Sequence, residues 1–412
     1  MHNFDLTSLI GQDDNHIKVQ TTNGYTVLRY DKNVLTKDNA STYGLCRSVI
    51  TDQENNIVCF SPPKSLPFDD FVSKYPETSQ IVATEFVEGT MINVFWSNGD
   101  WIIASRSNVG ATNMINSRVF RDMFFDAMNE CNLDLYTLPT EFSYSFVLQH
   151  PDNRIVLPIG KPQLYLIAVY SYCGADVNQR TMHRTIVKHR TVVKSHDLSE
   201  FPEFNATTVK RPAVYDLTSY KEFAEKTKTL DYTYLGVMLT NPATGERTKI
   251  RNPNYEQIRH LKGEQKFQFQ YLCLRKVGKV TQYLQYCPEH SELFAGFRDQ
   301  LHAFTRTLRD NYISCYIRKE KPLKEYSAEY KTHMYHLHQI YKTKLKPNGK
   351  FLMFDDVVNY VNEQEPILLI STFSTFKKST FGKSGAKREA VVSNAAVSNA
   401  TVSKEPSTEE AV

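Results

Sequence analysis

The feature that most constrains this chain is a change of hydrophobic period near Tyr255. Before it, short alternating or wholly apolar runs recur between Gly, Asn, Asp and Pro: NGYTVLRYD, CRSVITD, NNIVCFSPP, QIVATEFVEGT, INVFWSNGD and WIIASRS. Runs of this kind, bounded by turn formers, predict strands. Asn98-Gly99, between two of them, is a two-residue hairpin signal because both residues tolerate positive φ. The pattern turns helical over Asn113–Asn132, with Val119, Phe120, Met123, Phe124 and Met128 on one face. Strands resume in FSYSFVLQH, NRIVLP and QLYLIAVYSY, and again over Tyr232–Thr240 and Arg247–Arg251. A near-duplication, RTIVKH then RTVVKS over Arg184–Ser195, has a period of six and reads as a connecting region. Beyond Tyr255 the apolar spacing of LFAGFRDQLHAFTRTL and YKTHMYHLHQIYKTKL is helical up to Lys344, and 351–370 is a last apolar segment. The chain is therefore expected to be α+β: an antiparallel-sheet domain over 1–260, a basic, mainly helical domain over 261–375, and a low-complexity tail over 376–412. The tail has few large apolar residues to offset its ordering entropy, so disorder is expected there. Gly382-Lys383-Ser384 within it lacks the upstream glycine and the strand–helix context of a phosphate loop, and is rejected as one.

Composition narrows the function classes. With 41% hydrophobic residues the chain can bury real cores. No run approaches the roughly 18 apolar residues of a membrane-spanning helix, so no membrane partner is expected. The opening MHNFDLTSLIGQDD is polar and acidic where a secretory signal is basic and then apolar. Seven cysteines with no C-x-x-C read as reduced thiols, so a cytoplasmic location is expected, with nucleus or virus factory left open. The net charge of +4 conceals an asymmetry. Residues 255–350 carry 18 Lys+Arg against 9 Asp+Glu, residues 1–254 carry 25 against 28, and residues 351–412 carry 6 against 8. A basic segment beside a mildly acidic body suits a polyanion partner, and equally a solvated helical surface rich in lysine.

Four segments in register carry a resemblance. They are LCRSVITDQENNIVCFSPPKS, TEFVEGTMINVFWSNGDWIIASRS, SYSFVLQHPDNRIVLP, and YLGVMLTN followed by ERTKIRNPNYEQIRHLKG. Together they resemble the covalent nucleotidyltransferases, specifically RNA ligases of the phage RNA ligase 1 type, over roughly residues 20–262. The resemblance implies an ATP-grasp-like antiparallel-sheet nucleotidyltransferase domain. It also implies chemistry in which a lysine amine attacks the α-phosphate of ATP, and the adenylate passes to an RNA 5′-phosphate. An amine suits that step once its pKa is lowered, and carboxylates hold the divalent metal. A viral source is an expectation from the resemblance alone.

Set on the family pattern, the reaction's residues are missing. The nucleophilic lysine falls on Phe86, in Phe86-Val87-Glu88-Gly89-Thr90, and no lysine lies between Lys74 and Lys161. The glutamate of the third segment falls on Val147, and that of the fourth on Leu235. No catalytic residue and no metal ligand is therefore assigned. Several positions do match, and are the nucleotide- or phosphate-binding candidates: Arg47, Lys64, Glu88, Gly89, Arg106, Phe146, Lys249 and Arg251. Asn153 and Arg154 match the turn of the third segment. Plain structural readings stand beside these: surface ion pairs for Arg47 and Arg106, a structural turn for Asn153 and Arg154, and solvent-facing positions for Lys249 and Arg251. Glu88 reads better as a hydrogen-bonding group than as an acid or base.

Weaker constellations lie further on. His333, His336 and His338 share a helical stretch without partners at zinc spacing. Phe267, Phe269, Tyr271, Tyr283 and Tyr286 interleave with Arg275, Lys276 and Lys279, an arrangement that stacks bases or packs a core. The leading expectation is an RNA-ligase-like pseudoenzyme that binds RNA ends or nucleotide, or serves as a protein's partner subunit. ATP and magnesium enter only if binding is retained. The alternatives are an active ATP-dependent RNA ligase using Lys64 or Lys249 as an atypical nucleophile, and a structural or assembly protein retaining the fold.

Overall fold

The computed structural model describes residues 2–10, 15–115, 118–181, 184–263 and 266–381. The chain divides between His260 and Leu261 into two compact units, the first sheet-rich and the second helical.

Three larger antiparallel sheets and one two-stranded pair build the described part of the first unit. The largest has the order β1 (Asn3–Asp5), β13 (Arg184–His196), β12 (Gln163–Thr181), β11 (Ser143–Gln149), β7 (Thr90–Ser97) and β8 (Asp100–Ser105). A second runs β2 (Ile17–Thr22), β3 (Tyr25–Tyr30), β4 (Val49–Thr51) and β5 (Ile57–Phe60), with the one-turn helix α1 (Ala40–Tyr43) before β4. The third has the order β14 (Val214–Tyr215), β6 (Val82–Glu85), β15 (Gly236–Thr240) and β16 (Arg247–Arg251). Alternation along the strands of the large sheet assigns its two faces. Ile92, Val94, Tyr144, Phe146 and Leu148 pack against Met123, Phe124 and Ala127 of helix α3 (Phe120–Glu130). Phe95 and Ala104, on the other face, meet Tyr25, Val27, Ile50 and Cys59 of the second sheet. The third sheet is covered by α2 (Phe68–Lys74) and α4 (Tyr220–Lys228), through Phe71, Tyr220, Val237 and Leu239. Helix α5 (Pro253–Lys262) follows β16 directly.

The structure corrects several expectations. The helix expected over Asn113–Asn132 begins only at Phe120, because the chain first folds back on itself. The Phe120 N–H donates to Asn113 O at 3.0 Å and the Arg121 N–H to Ala111 O at 3.1 Å. The intervening residues supply β9 (Met114–Ile115) and β10 (Arg118–Val119), a small antiparallel pair. NRIVLP forms no strand: the N–H groups of Val156 and Leu157 point to the Glu88 carboxylate instead of a ladder. The RTIVKH–RTVVKS repeat is not a connection but most of β13, since an even period fits a pleated strand. The last strand pair starts at Gly236 rather than Tyr232. The hairpin at Asn98 and Gly99 is as expected, with φ of 54° and 82°.

The helical unit contains α6 (Phe267–Lys276), α7 (Val280–Tyr286), α8 (Ser291–Tyr312), α9 (Ala328–Ile340), α10 (Phe354–Glu363) and α11 (Pro366–Phe381). Helix α8 buries Phe294, Leu301, Phe304, Leu308 and Tyr312, one stripe at helical spacing. Helix α11 runs to Phe381; the rest of the expected tail, with Gly382-Lys383-Ser384, lies outside the described residues. Among the described residues no helix is long and apolar enough to cross a membrane.

Two glycines decide how closely the strands approach. Gly236 has φ of 144°, and a Cβ there meets Ile250 O at 2.1 Å. Gly89, with φ of 151°, would place its Cβ 2.5 Å from Leu148 O. Gly236→Ala is expected to destabilise the sheet-rich unit by roughly 2–4 kcal/mol in urea titration. Gly296→Ala, in open space on α8, should instead be neutral or stabilise by up to about 1 kcal/mol. Equal effects of the two changes would contradict the close approach.

Candidate phosphate-binding site

Strand β16 opens with Arg247, whose guanidinium is buried and donates from Nε to Pro63 O at 2.9 Å and from Nη2 to Pro62 O at 3.0 Å. The Leu66 N–H donates to Arg247 O at 2.8 Å, and Thr248 Oγ1 to Leu66 O at 2.9 Å. Residues 61–66 thus form a strap pinned along the edge strand of the third sheet. Its other side is tied to the second sheet: Ser61 N–H donates to Ser48 O at 3.1 Å and Lys64 N–H to Gly44 O at 2.9 Å. The two sets of bonds bring Arg47 and Lys64 to β16. Alternation then puts Arg247, Lys249 and Arg251 on one face of that strand.

Phe86 lies at the end of β6, where its N–H donates to Gly236 O at 3.1 Å. Its ring is 5.8 Å from Lys249 Nζ and 5.7 Å from Arg251 Cζ. The negative face of the ring attracts both cations, a partial substitute for a counter-ion. A phenyl ring offers no lone pair, so Phe86 itself can form no covalent adduct with a phosphoryl group. Val147 and Leu235 are also buried, and Val147 packs with Val87 and Tyr165 in an apolar contact.

The electrostatics are one-sided. Burial, then Arg251, Arg47, Arg247 and Lys64, push the Lys249 ammonium down to about 8. Burial and Arg47 also lower Arg247, to about 9, which leaves it charged at neutral pH. Arg47 is lowered by burial, with Arg106 adding to the effect. Among the described residues no carboxylate is in ion-pair range of Arg47, Lys64, Arg247 or Lys249, whereas Arg251 pairs with Glu256. Several cations held together without acidic partners are costly unless an anion joins them.

The other candidates separate. Glu88 is buried, and both its oxygens accept from the backbone, at 3.1 Å from Val156 N. It also raises the Tyr255 hydroxyl, after burial. Gly89 permits the approach to β11 described above. Phe146 is fully buried in the core beneath α3, on the opposite face from Val147, so it is not brought to this site. Asn153 donates to Thr90 Oγ1 at 2.8 Å and Arg154 Nε to Val156 O at 3.1 Å, as in a structural turn. Arg106 follows β8 in a turn closed by Ser105 N–H to Asn108 O at 2.9 Å, near Arg47. Sequence reasoning missed Arg247 and Arg29. Arg247 was signalled by R-x-K-x-R at strand spacing; Arg29 carried no signal.

The helical unit holds the weaker constellations. His333 uses both ring nitrogens, on Tyr360 OH at 2.9 Å and Thr372 Oγ1 at 3.3 Å, and His338 stacks on Tyr316 at 3.9 Å. Tyr271 and Tyr283 are buried in the core, while Arg275 bonds Asn362 and Lys276 bonds Glu365. Tyr271 and Tyr283 thus serve the core rather than a surface. The sequence reading also passed over Cys287, Glu289 and His290, whose ligand atoms lie within 4.8 Å of one another. At the cationic site the donor set does not fit a divalent metal, because the nearby carboxylates of Glu88 and Glu256 are turned to backbone N–H groups and to Arg251.

No protein-family model matches the chain, and no curated protein matches it. Solved structures are similar to it at low TM-score. An archaeal ATP-dependent RNA ligase has 10% identity and a TM-score of 0.38, covering 69% of this chain and 68% of that one. A putative ATP-dependent DNA ligase from Aquifex aeolicus has 11% identity and a TM-score of 0.37, covering 80% and 78%. An RNA ligase from Naegleria gruberi has 9% identity and a TM-score of 0.30, and the chain spans 51% of its length.

Lys249 gives a stability test with a definite sign. Its folded pKa lies below the ordinary lysine value, so between about pH 8 and 10.5 the unfolded chain binds more protons and stability rises with pH. Below pH 8 the cost of the buried charge is fully present. Lys249→Met is expected to stabilise the protein at pH 7 by on the order of 1 kcal/mol and to remove that rise. Urea titrations at pH 7 and pH 10 check it; destabilisation at pH 7 would contradict the crowding of cations.

Proposed function

We propose that this chain is a catalytically inactive relative of the RNA-ligase type of nucleotidyltransferase, which binds the phosphate of an RNA end or nucleotide without reacting with it. One observation carries the reading. The Phe86 ring lies against Lys249 and Arg251, inside a group of cations whose members Arg47, Lys64, Arg247 and Lys249 lack carboxylate partners among the described residues, and the sequence resemblance sets Phe86 where the family has its nucleophile. Arginine forks and a lysine in a partly buried setting are the groups that hold phosphate oxygens. The apolar Val147 and Leu235, and the missing amine at position 86, support binding without transfer. The Lys+Arg excess between residues 255 and 350 supports an RNA rather than a free anion as the larger partner.

A second reading is favoured by the low pKa of Lys249. An amine at about 8 is partly neutral at physiological pH, as a nucleophile must be. The two readings separate on incubation with ATP and magnesium. The inactive reading expects no protein–AMP adduct by intact mass, together with RNA binding whose affinity falls steeply with salt. It further expects Lys249→Met to weaken that binding by about tenfold. An adduct on the wild type that Lys249→Met abolishes would replace it with the active reading. Flat fluorescence anisotropy against 5′-phosphorylated RNA at low salt would leave a structural role.

A further inference from the structure

The turn between α7 and α8 brings three donor side chains together in the helical unit. Its sequence is Cys287-Pro288-Glu289-His290, with residues 288–290 in a single 3₁₀ turn. At three residues per turn, side chains at i and i+3 lie one above the other, so Cys287 and His290 share a side. The Cys287 N–H donates to Tyr283 O at 3.0 Å and the His290 N–H to Cys287 O at 3.2 Å, which holds the turn closed. The Cys287 thiol, a Glu289 carboxylate oxygen and a His290 ring nitrogen lie within 4.8 Å of one another. The fully buried Tyr283 places its hydroxyl 2.5 Å from His290 Nδ1 and bonds the Cys287 side chain as well. Its ring lies nearly parallel to that of His290, and the Phe267 ring is 4.5 Å from the imidazole. Cys287 is buried and Glu289 exposed, so the group combines a donor set in the core with one reached from solvent.

We propose that Cys287, Glu289 and His290 form a zinc-type metal site that clips the start of α8 to the end of α7. A thiolate, a carboxylate and an imidazole are donors for a borderline-soft ion such as Zn²⁺, whereas magnesium and calcium take oxygen alone. A tetrahedral ion at ~2.3 Å from sulfur and ~2.0–2.2 Å from nitrogen and oxygen holds its donors roughly 3.3–3.6 Å apart. Closing to that spacing from 4.8 Å takes side-chain rotation alone. The thiol gives up its proton to solvent as the sulfur–zinc bond forms. Tyr283 is a positioning residue: its hydroxyl orders the imidazole and the thiol before an ion arrives. Three protein donors leave the fourth position to water. The site uses no residue of the cationic group in the sheet-rich unit, so it stands independently of the phosphate-binding reading.

The test is titration of the full chain, stripped of metal and kept reduced, with cobalt(II) and then with zinc, followed by absorption. Cobalt is expected to give a sulfur-to-cobalt charge-transfer band and the intense visible bands of a tetrahedral site, zinc to bleach both, and excess magnesium to leave them unchanged. Cys287→Ser should abolish the charge-transfer band, and Cys315→Ser, at another partly exposed thiol, should leave it. Zinc should raise the melting temperature of the wild type and not that of Cys287→Ser. Glu289→Gln, at an exposed position that carries the test if Cys287→Ser does not fold, should weaken zinc binding by about tenfold. Tyr283→Phe should weaken it by about tenfold while keeping the charge-transfer band; affinity equal to the wild type overturns its positioning role. A wild type without the band, a band that survives Cys287→Ser, or zinc affinity unchanged in Glu289→Gln overturns the site.

Discussion

The arrangement of the sheet-rich unit depends on one buried guanidinium. Arg247 has no carboxylate to pair with among the described residues; it is satisfied by the carbonyls of Pro62 and Pro63. Proline suits this role because its nitrogen has no hydrogen to compete and its ring fixes the strap in an extended course. A carbonyl partner fixes the position of the charge without neutralising it. The strap therefore joins the second sheet to the third, and it leaves a net positive interior to which Arg47, Lys64 and Lys249 add.

The surroundings of the cations are apolar rather than acidic. A buried carboxylate beside these cations would balance them, and its loss would ordinarily cost stability. Here Val147 and Leu235 bury apolar surface instead. Phe86 offers its ring face to two of the cations. The Glu88 side chain accepts from the backbone N–H groups of residues 156 and 157, where it orders a turn that has no ladder to join.

Much of this was legible in the residues, for identifiable reasons. Asn98-Gly99 specified its hairpin because only such residues tolerate both positive φ angles. The change of period near Tyr255 falls close to the division at His260. The misses share a cause: long-range hydrogen bonding, which no local pattern encodes. NRIVLP looks like a strand until Glu88 claims its N–H groups. The segment before α3 looks helical until Ala111 and Asn113 fold back on it. Phe146 matched a motif, but alternation sends it to the opposite face from Val147 and into the core. Arg29 becomes visible only when the second sheet packs on the large one.

The most direct test of a cationic site without counter-ions is a crystal structure of the protein soaked in tungstate, a phosphate mimic located by its anomalous scattering. The account predicts a tungstate among Arg47, Arg247 and Lys249, with the Phe86 ring against Lys249 and Arg251. Tungstate bound elsewhere at saturating concentration, with these side chains each paired to an acidic residue, would contradict it.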